Sequence, residues 1–324
     1  YIDTVKIINL DHVKIRKNNF ILFFLDILSL AYNMLRGMQR AKADIYLHTG
    51  GAAGIASIFC KLANKKYIYV IASDALVDRT ILPKENVSGF SRSRLSITTL
   101  GNWLDIKLAN AVIVQTEYQK KLLYKNFGVD GILIHKPLRL NKVVSQEKPV
   151  PPIVLWVGSM NEVKQPELFL EMAKEIPEAQ FRMIGGYQKI NYKYYERIRN
   201  TAENIANLEF LGVVPFDEID KHFIDASVLV NTSMFEGYPT YTFVQACMYY
   251  VPIVSINDNS AEFLCKNNLG FHSRTYKQMV EDVRLLINNK KLRKQMGING
   301  RRYVEKNHNA VNIIEDYIGV FNSI

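Results

Sequence analysis

The sequence predicts an α/β chain of two domains, each built on a parallel sheet. Three observations carry that expectation. Short apolar runs alternate with helical patterns along all 324 residues, which argues for α/β layers rather than an all-helical or all-β fold. The runs are rich in β-branched and aromatic residues and are followed by Gly, Asn or Asp, the pattern of parallel strands covered on both faces. An apolar content of 48% with only 10 prolines leaves material for a core in each half.

In chain order, strands are expected over residues 5–10, 44–48, 66–71, 111–115 and 131–135, with helices over 21–40, 53–63 and 117–126 between them. The longest apolar stretch, 20–31, is interrupted by Asp26 and is shorter than the roughly 20 residues a bilayer span needs, so it reads as a core helix. A polar segment with prolines, 139–152, separates this series from the next and serves as a linker. The second series of strands is expected over 153–157, 180–184, 208–211, 227–231 and 252–256. The tail is helical from Tyr276, and 311–321 reads as a last amphipathic helix. The domains are therefore placed at 1–140 and 153–305, with a linker at 141–152 and a final helix within 306–324.

Three cysteines, Cys60, Cys247 and Cys265, are widely spaced and odd in number, which supports neither a disulfide framework nor a zinc cluster and fits a reducing cytoplasm. The chain opens on Tyr1 without a basic-then-apolar leader and is read as a piece or processed product of a longer protein. Its formal net charge of +10 resides entirely in the first 150 residues, in clusters such as Lys14/Arg16/Lys17, Arg92/Arg94 and Lys120/Lys121/Lys125. Such clusters attract anionic surfaces within about 10 Å at moderate salt. No nucleic-acid-binding motif accompanies them, so an anionic membrane surface or a phosphorylated acceptor is the expected partner of this half. Solvated lysines on helix faces account equally well for any single cluster.

Two segments of the second half carry chemistry. In NTSMFEGYPTYTFVQACMYYVPIVS (231–255), Glu236, the turn Gly237–Tyr238–Pro239 and Thr240 open a helix between two apolar strands, with Gln245 farther along it. Unpaired backbone N–H groups and the positive end of the dipole at that helix start suit an anion. The strand ending at Gly158 runs through Ser159 to Lys164, just before a helix with Pro166 and Glu167 in its first turn. A lone loop lysine is commonly solvated; the spacing from Gly158 singles Lys164 out as a diphosphate ligand. In the first half, Gly50 and Gly51 close a strand and open a helix in HTGGAAG, which suits phosphate or acceptor contact as well as close helix packing. Asp74, after the strand YIYVIAS, and His48 are candidates to line an acceptor site, the histidine also reading as a packed core residue.

The stretches VLWVGSMNEVKQPELFLEMAKEIPEAQFRMIGG, FLGVVPFDEIDKHFIDASVLVNTS and FEGYPTYTFVQACMYYVPIVS, in that order and spacing, resemble the retaining glycosyltransferases of the GT-B fold, glycosyl transferases group one, similar to glycosyltransferase family four. DIYLHTGGAAGIASIFCKLANKKYIYVIASDALVD and ANAVIVQTEYQKKLL are similar more loosely. The resemblance implies two Rossmann-like domains facing across a cleft, a final helix returning to the first domain, and a first domain lacking its first strand and glycine-rich loop. It matches Lys164 to the lysine of the family's G-R-x-x-x-x-K pattern, with Ser159 where that pattern has Arg, a loss of one bidentate cation. It matches Glu236 to the first carboxylate of the E-x7-E pattern, which faces the donor sugar. Gln245 stands for the second carboxylate, which binds ribose, but nine residues after Glu236 instead of eight. One residue is about 100° of helix rotation. Gln245–Ala246 keep the usual distance to Val251–Pro252, so the insertion belongs to the turn at 238–241.

The activity so implied is transfer of a sugar from a nucleotide sugar to a glycan or lipid-linked phosphate acceptor, with retention and with no cofactor. No D-x-D signature occurs, so no metal is expected. Glu236 and Asp74 would be the catalytic pair, in a cytoplasmic enzyme peripheral to the inner face of the membrane. A sugar-nucleotide epimerase of similar fold and a catalytically silent sugar-nucleotide-binding subunit are the alternatives. No HExxH, CxxC, GxSxG or Walker pattern supports another chemistry.

Overall fold

A computed structural model of the chain describes residues 20–50, 54–78, 89–140, 147–187, 191–234, 240–256 and 261–324. The strand expected over 5–10, the cluster Lys14/Arg16/Lys17, Gly51, and Glu236, Gly237, Tyr238 and Pro239 lie outside these residues. The chain divides into two compact units, Tyr1–Lys136 with Ile314–Ile324, and Pro137–Ile313. The division falls before residue 140 because Leu138 belongs to the second unit. Its N–H donates to the His308 carbonyl at 2.7 Å, its carbonyl accepts from Ala310 N at 3.1 Å, and its side chain is buried among residues of the second core.

In the first unit, helix α1 (Phe20–Ala41) precedes a parallel sheet of β1 (Ile45–Thr49), β2 (Lys66–Val70), β3 (Ala111–Val114) and β4 (Ile132–Leu133), ordered β1-β2-β3-β4. The crossovers are α2 (Ile55–Leu62), α3 (Gly89–Leu108) and α4 (Glu117–Phe127). Thr116 caps α4 by accepting from Gln119 N at 3.0 Å, and Gly128 ends it at φ 64°, a left-handed conformation that glycine adopts without a Cβ penalty. The expected core helix is α1 only in part: Met38 and Asp26 are buried, whereas Leu25, Leu28 and Tyr32 are exposed. No helix among the described residues is long and apolar enough to cross a membrane.

Helix α3 has no counterpart among the expected elements. Its sequence, GFSRSRLSITTLGNWLDIKL, is rich in Ser, Thr and Gly, all weak helix formers, and offers no clean apolar stripe. Tertiary contacts hold it. Asn102 and Asp105 accept from the hydroxyls of Tyr69 and Tyr67 at 2.8 and 3.1 Å, and Ile106 packs in the core beneath β2.

The second unit holds β5 (Ile153–Val157), α5 (Pro166–Glu175), β6 (Gln180–Ile184), α6 (Tyr192–Ala202), β7 (Leu208–Gly212), α7 (Ile219–Asp225), β8 (Ala226–Asn231), α8 (Tyr241–Met248), β9 (Ile253–Ser255), α9 (Ala261–Lys266) and β10 (Gly270–His272). Helices α10 (Tyr276–Asn288), α11 (Lys290–Asn307) and α12 (Ala310–Ser323) follow, and α12 passes from the second unit into the first at Ile314. All strand pairs are parallel, in the order β10-β9-β8-β5-β6-β7. Successive residues of β5 face opposite cores: Val154 and Trp156 join Phe169, Phe181 and Met183, while Leu155 joins Phe243, Cys247 and Ile253. That double coverage is why the strand reads as an unbroken apolar run.

Helix α11 lies close enough to the end of α8 that side chains are excluded. A Cβ on Gly297 would stand 2.3 Å from the Tyr250 carbonyl oxygen. The described cysteines are all free, with Cys60 and Cys247 buried and Cys265 exposed.

Candidate functional site

The strand order of the second unit reverses between β5 and β8, and the loops leaving their carboxyl ends diverge there. Such a switch point is where open α/β sheets bind ligands. The loop after β5 carries Gly158, Ser159 and Lys164. The loop after β8 carries Thr232 to Met234 and, beyond 235–239, the start of α8.

The two loops are stitched together. Thr232 Oγ1 donates to the Lys164 carbonyl at 2.6 Å and accepts from Trp156 Nε1 at 2.9 Å, and Met234 N donates to the Val163 carbonyl at 2.8 Å. Within the first loop, Asn161 Oδ1 accepts from Lys164 N at 3.2 Å, and Gln165 at φ 43° turns the chain into α5 with Pro166 at its first position. Lys164 is half-buried at this junction. Ser159 is exposed, and its hydroxyl accepts from Asn161 Nδ2 at 2.9 Å, so it shapes the loop.

Gly158 packs against a neighbouring strand end. Its N–H donates to the Ile184 carbonyl at 3.0 Å, and a Cβ on Gly185 would stand 1.8 Å from the Gly158 oxygen. Both partners are backbone, so relief requires the loop to move. Gly185→Ala is expected to cost about 1–3 kcal/mol of stability by displacing the Gly158–Lys164 loop. A melting curve reads the loss; an unchanged value would show that the strand ends separate freely.

Thr240 is the N-cap of α8, its Oγ1 accepting from Phe243 N at 3.3 Å. Gln245 is buried in α8 and its Nε2 donates to Asp220 Oδ1 at 3.0 Å. Asp220 sits in the first turn of α7 and is a residue that sequence reasoning missed. The pair unites an amide and a carboxylate. Phe216 and Tyr241, both exposed, bring their rings to 6.2 Å beside it.

In the first unit, His48 and Asp74 lie toward the carboxyl edge of the sheet. His48 Nδ1 is 3.1 Å from the Tyr67 hydroxyl, which donates to buried Asp105, and its ring stacks with Tyr69 at 5.8 Å. Burial pushes the imidazole pKa down, against a smaller opposing pull from Asp105. The packed reading of His48 therefore describes its surroundings. Asp74 is 7% exposed and accepts from Gln119 Nε2 at 2.8 Å. Burial raises its pKa, Asp78 adds to the rise, and the Gln119 bond and Lys136 oppose it. Gly50 has φ 91°, a conformation that favours glycine. Among the described residues no group of three or more His, Cys, Asp or Glu is placed to hold a metal ion.

Residues 139–303 match the family Glycosyl transferases group 1. The chain is 26% identical over 203 residues to the uncharacterized glycosyltransferase MJ1178 of Methanocaldococcus jannaschii, covering 61% of this chain and 55% of that protein. It is 22% identical over 288 residues to MJ1069 of the same organism, covering 82% and 70%. Among solved structures it is similar to a variant of S. aureus TarM in complex with fondaparinux, alpha-GlcNAc-glycerol and UDP (TM-score 0.68, 18% identity, 92% of this chain and 59% of that chain). It is also similar to Anabaena Alr3699/HepE in complex with UDP and glucose (0.69, 12%, 91% and 81%) and to sucrose-phosphate synthase from Thermosynechococcus elongatus (0.72, 15%, 93% and 79%). These structural likenesses show a shared fold, the GT-B architecture. The chain spans little more than half the length of MJ1178 and of TarM.

Proposed function

The chain belongs to the glycosyl transferases group 1 family, and from that premise we propose that it is a retaining, metal-independent glycosyltransferase that moves a sugar from a nucleotide sugar to a glycan or lipid-linked phosphate acceptor. The observation that carries this reading is the stitched pair of loops at the β5/β8 switch point, which sets Lys164 beside the chain leading into α8.

Lys164 would meet the donor diphosphate as a point charge, with Gly158, Ser159 and the backbone N–H groups of Gly237, Tyr238, Pro239-flanked Thr240 and α8 completing the cradle. Glu236 would orient the sugar and stabilise the positive charge that develops on it. The leaving phosphate takes the acceptor proton as the new bond forms on the face the nucleotide departs from, so the protein acts by positioning and electrostatics. Lys164 and the helix N–H groups supply the stabilisation that a divalent ion supplies elsewhere. His48, Gly50, Gly51 and Asp74 belong to the acceptor side. The basic surface of the first half, including Lys121 and Lys125 on α4, would hold the enzyme at an anionic cytoplasmic membrane face.

Gln245 would hold the ribose together with Asp220, whose carboxylate restores the charge the amide lacks. Asp220→Asn is expected to weaken a ribonucleoside diphosphate by about 10-fold or more, the size of one charged hydrogen bond, and to leave a 2′,3′-dideoxy analogue unaffected. Equal losses for both ligands would remove Asp220 from the ribose.

UDP is the first nucleotide to test, because the TarM variant and HepE were solved with it. The test is a titration with UDP and GDP in EDTA, followed by a panel of labelled sugar donors with a crude lipid acceptor. Labelled acceptor product with retained configuration, formed in EDTA, is the expected result. Interconversion of the donor without transfer would mark an epimerase. Binding without turnover would mark a silent subunit, the reading that Ser159 and Gln245 favour.

A further inference from the structure

The amino ends of β5 and β8, opposite the nucleotide half-site, border a cavity of about 210 Å³ that the glycosyltransferase reading does not use. The six residues of β8 separate the two places, roughly 16–20 Å at the rise of a strand. Four cations line the cavity, Lys148, Lys290, Arg293 and Lys294, against one lining carboxylate, Glu147.

Two of the cations are held in place. Lys148 Nζ donates to the Ile224 and Tyr249 carbonyls at 2.8 and 3.0 Å, leaving a third donor on the ammonium. Arg293 Nη1 donates to the Leu286 and Ile287 carbonyls, both at 2.6 Å, which fixes its guanidinium beside the end of α10. Burial depresses the Lys148 pKa to about 8; Asp225 opposes the shift and Arg293 adds to it.

Lys290, Arg293 and Lys294 occupy the start of α11, which has no acidic residue in its first turn. Cations there face the positive end of the helix dipole, an arrangement that an anion would relieve. Asn289 Oδ1 caps only Leu292 N, at 2.9 Å. An independent feature points the same way. Ser227 lines the cavity at 1% exposure, and its hydroxyl has no hydrogen-bond partner, a state that buried polar groups rarely keep.

We propose that this cavity binds a phosphate-type oxyanion, held by Lys148, Arg293, Lys290, Lys294 and the α11 amino terminus, with the Ser227 hydroxyl as a further donor. The volume accepts a phosphate group with part of what carries it, so a lipid phosphomonoester and a soluble phosphate present the same chemistry. The site is distinct from the donor diphosphate site and stands whether or not the chain transfers sugar.

The test titrates the full chain with inorganic phosphate by calorimetry and thermal shift. Lys290→Glu/Lys294→Glu is expected to raise the phosphate-free melting temperature, because carboxylates suit a helix amino terminus, while weakening phosphate by about tenfold or more. Ser227→Ala is expected to weaken it severalfold, and Lys164→Ala to leave it unchanged. Wild-type phosphate affinity in the double variant, loss only in Lys164→Ala, or no binding at millimolar phosphate would each overturn the proposal. Cosedimentation with phosphatidylcholine vesicles containing phosphatidic acid, abolished by the double variant, would assign the anion to a lipid headgroup. Phosphate binding without cosedimentation would assign it to a soluble phosphate.

Discussion

Glu236→Gln is expected to slow sugar transfer about 10²–10³-fold, the size of losing one charge-stabilising group in an active site, while leaving nucleotide affinity nearly unchanged. The exchange keeps the shape of the side chain and removes its charge. If Glu236 acts on positive charge that develops at the sugar only as the nucleotide departs, the loss falls on kcat and not on ground-state binding. Transfer rates with labelled donor, set beside nucleotide dissociation constants, separate the two. Full transfer activity would end the role assigned to Glu236. Parallel loss of rate and nucleotide affinity would point to a displaced loop instead. The described residues on either side of it are anchored, Met234 by its bond to the Val163 carbonyl and Thr240 by its cap on α8.

The second large effect is at Lys164. Lys164→Ala is expected to weaken a nucleoside diphosphate roughly 10–150-fold, the range for a charged hydrogen bond, and to leave the free nucleoside unaffected. The loop should keep its place, because Thr232 Oγ1 bonds the Lys164 carbonyl and Met234 N bonds the Val163 carbonyl, and neither bond needs the lysine side chain. The salt dependence of diphosphate binding should also become shallower, since one cation facing the phosphates has gone. A variant that binds diphosphate normally would return Lys164 to the class of solvated loop lysines.

Much of the second unit was legible because its physics is local. β5 is an apolar run between Pro152 and Gly158 and covered on both faces, β6 sets buried Phe181 and Met183 in alternation with half-buried Gln180 and Arg182 before Gly185, and the structure places them at 153–157 and 180–184, the residues expected. The start of α5 was legible for the same kind of reason, a Pro that fits only the first helical turn. Helix α3 was not legible, because its Ser, Thr and Gly content argues against the helix that Asn102, Asp105 and Ile106 stabilise from the tertiary side. β10 was missed for its brevity, three residues ending in His272, paired only along β9. The boundary at 140 moved because Leu138 bonds to His308 and Ala310, contacts far along the chain.

The candidate site divides along the same line. Gly158 and Lys164 could be proposed from a strand end and a helix start written in consecutive residues, and Glu236 and Gln245 from their match to the family pattern. Asp220 could not, because it meets Gln245 from another helix 25 residues away. The surroundings of His48 were open in sequence, and the structure makes it a half-buried ring beside Tyr67 and Tyr69.

By itself the sequence determined the class of fold and the parallel strands of the second half, because periodicity, breakers and helix starts act over a few residues. Only the tertiary structure decided that Thr232 ties the Lys164 loop to the β8 loop, that Asp220 joins Gln245, and that Ser227 and four cations share a cavity at the other end of the sheet. Those pairings depend on strand order, which brings β5 beside β8 across about 70 residues of chain, and no local pattern records which strands become neighbours.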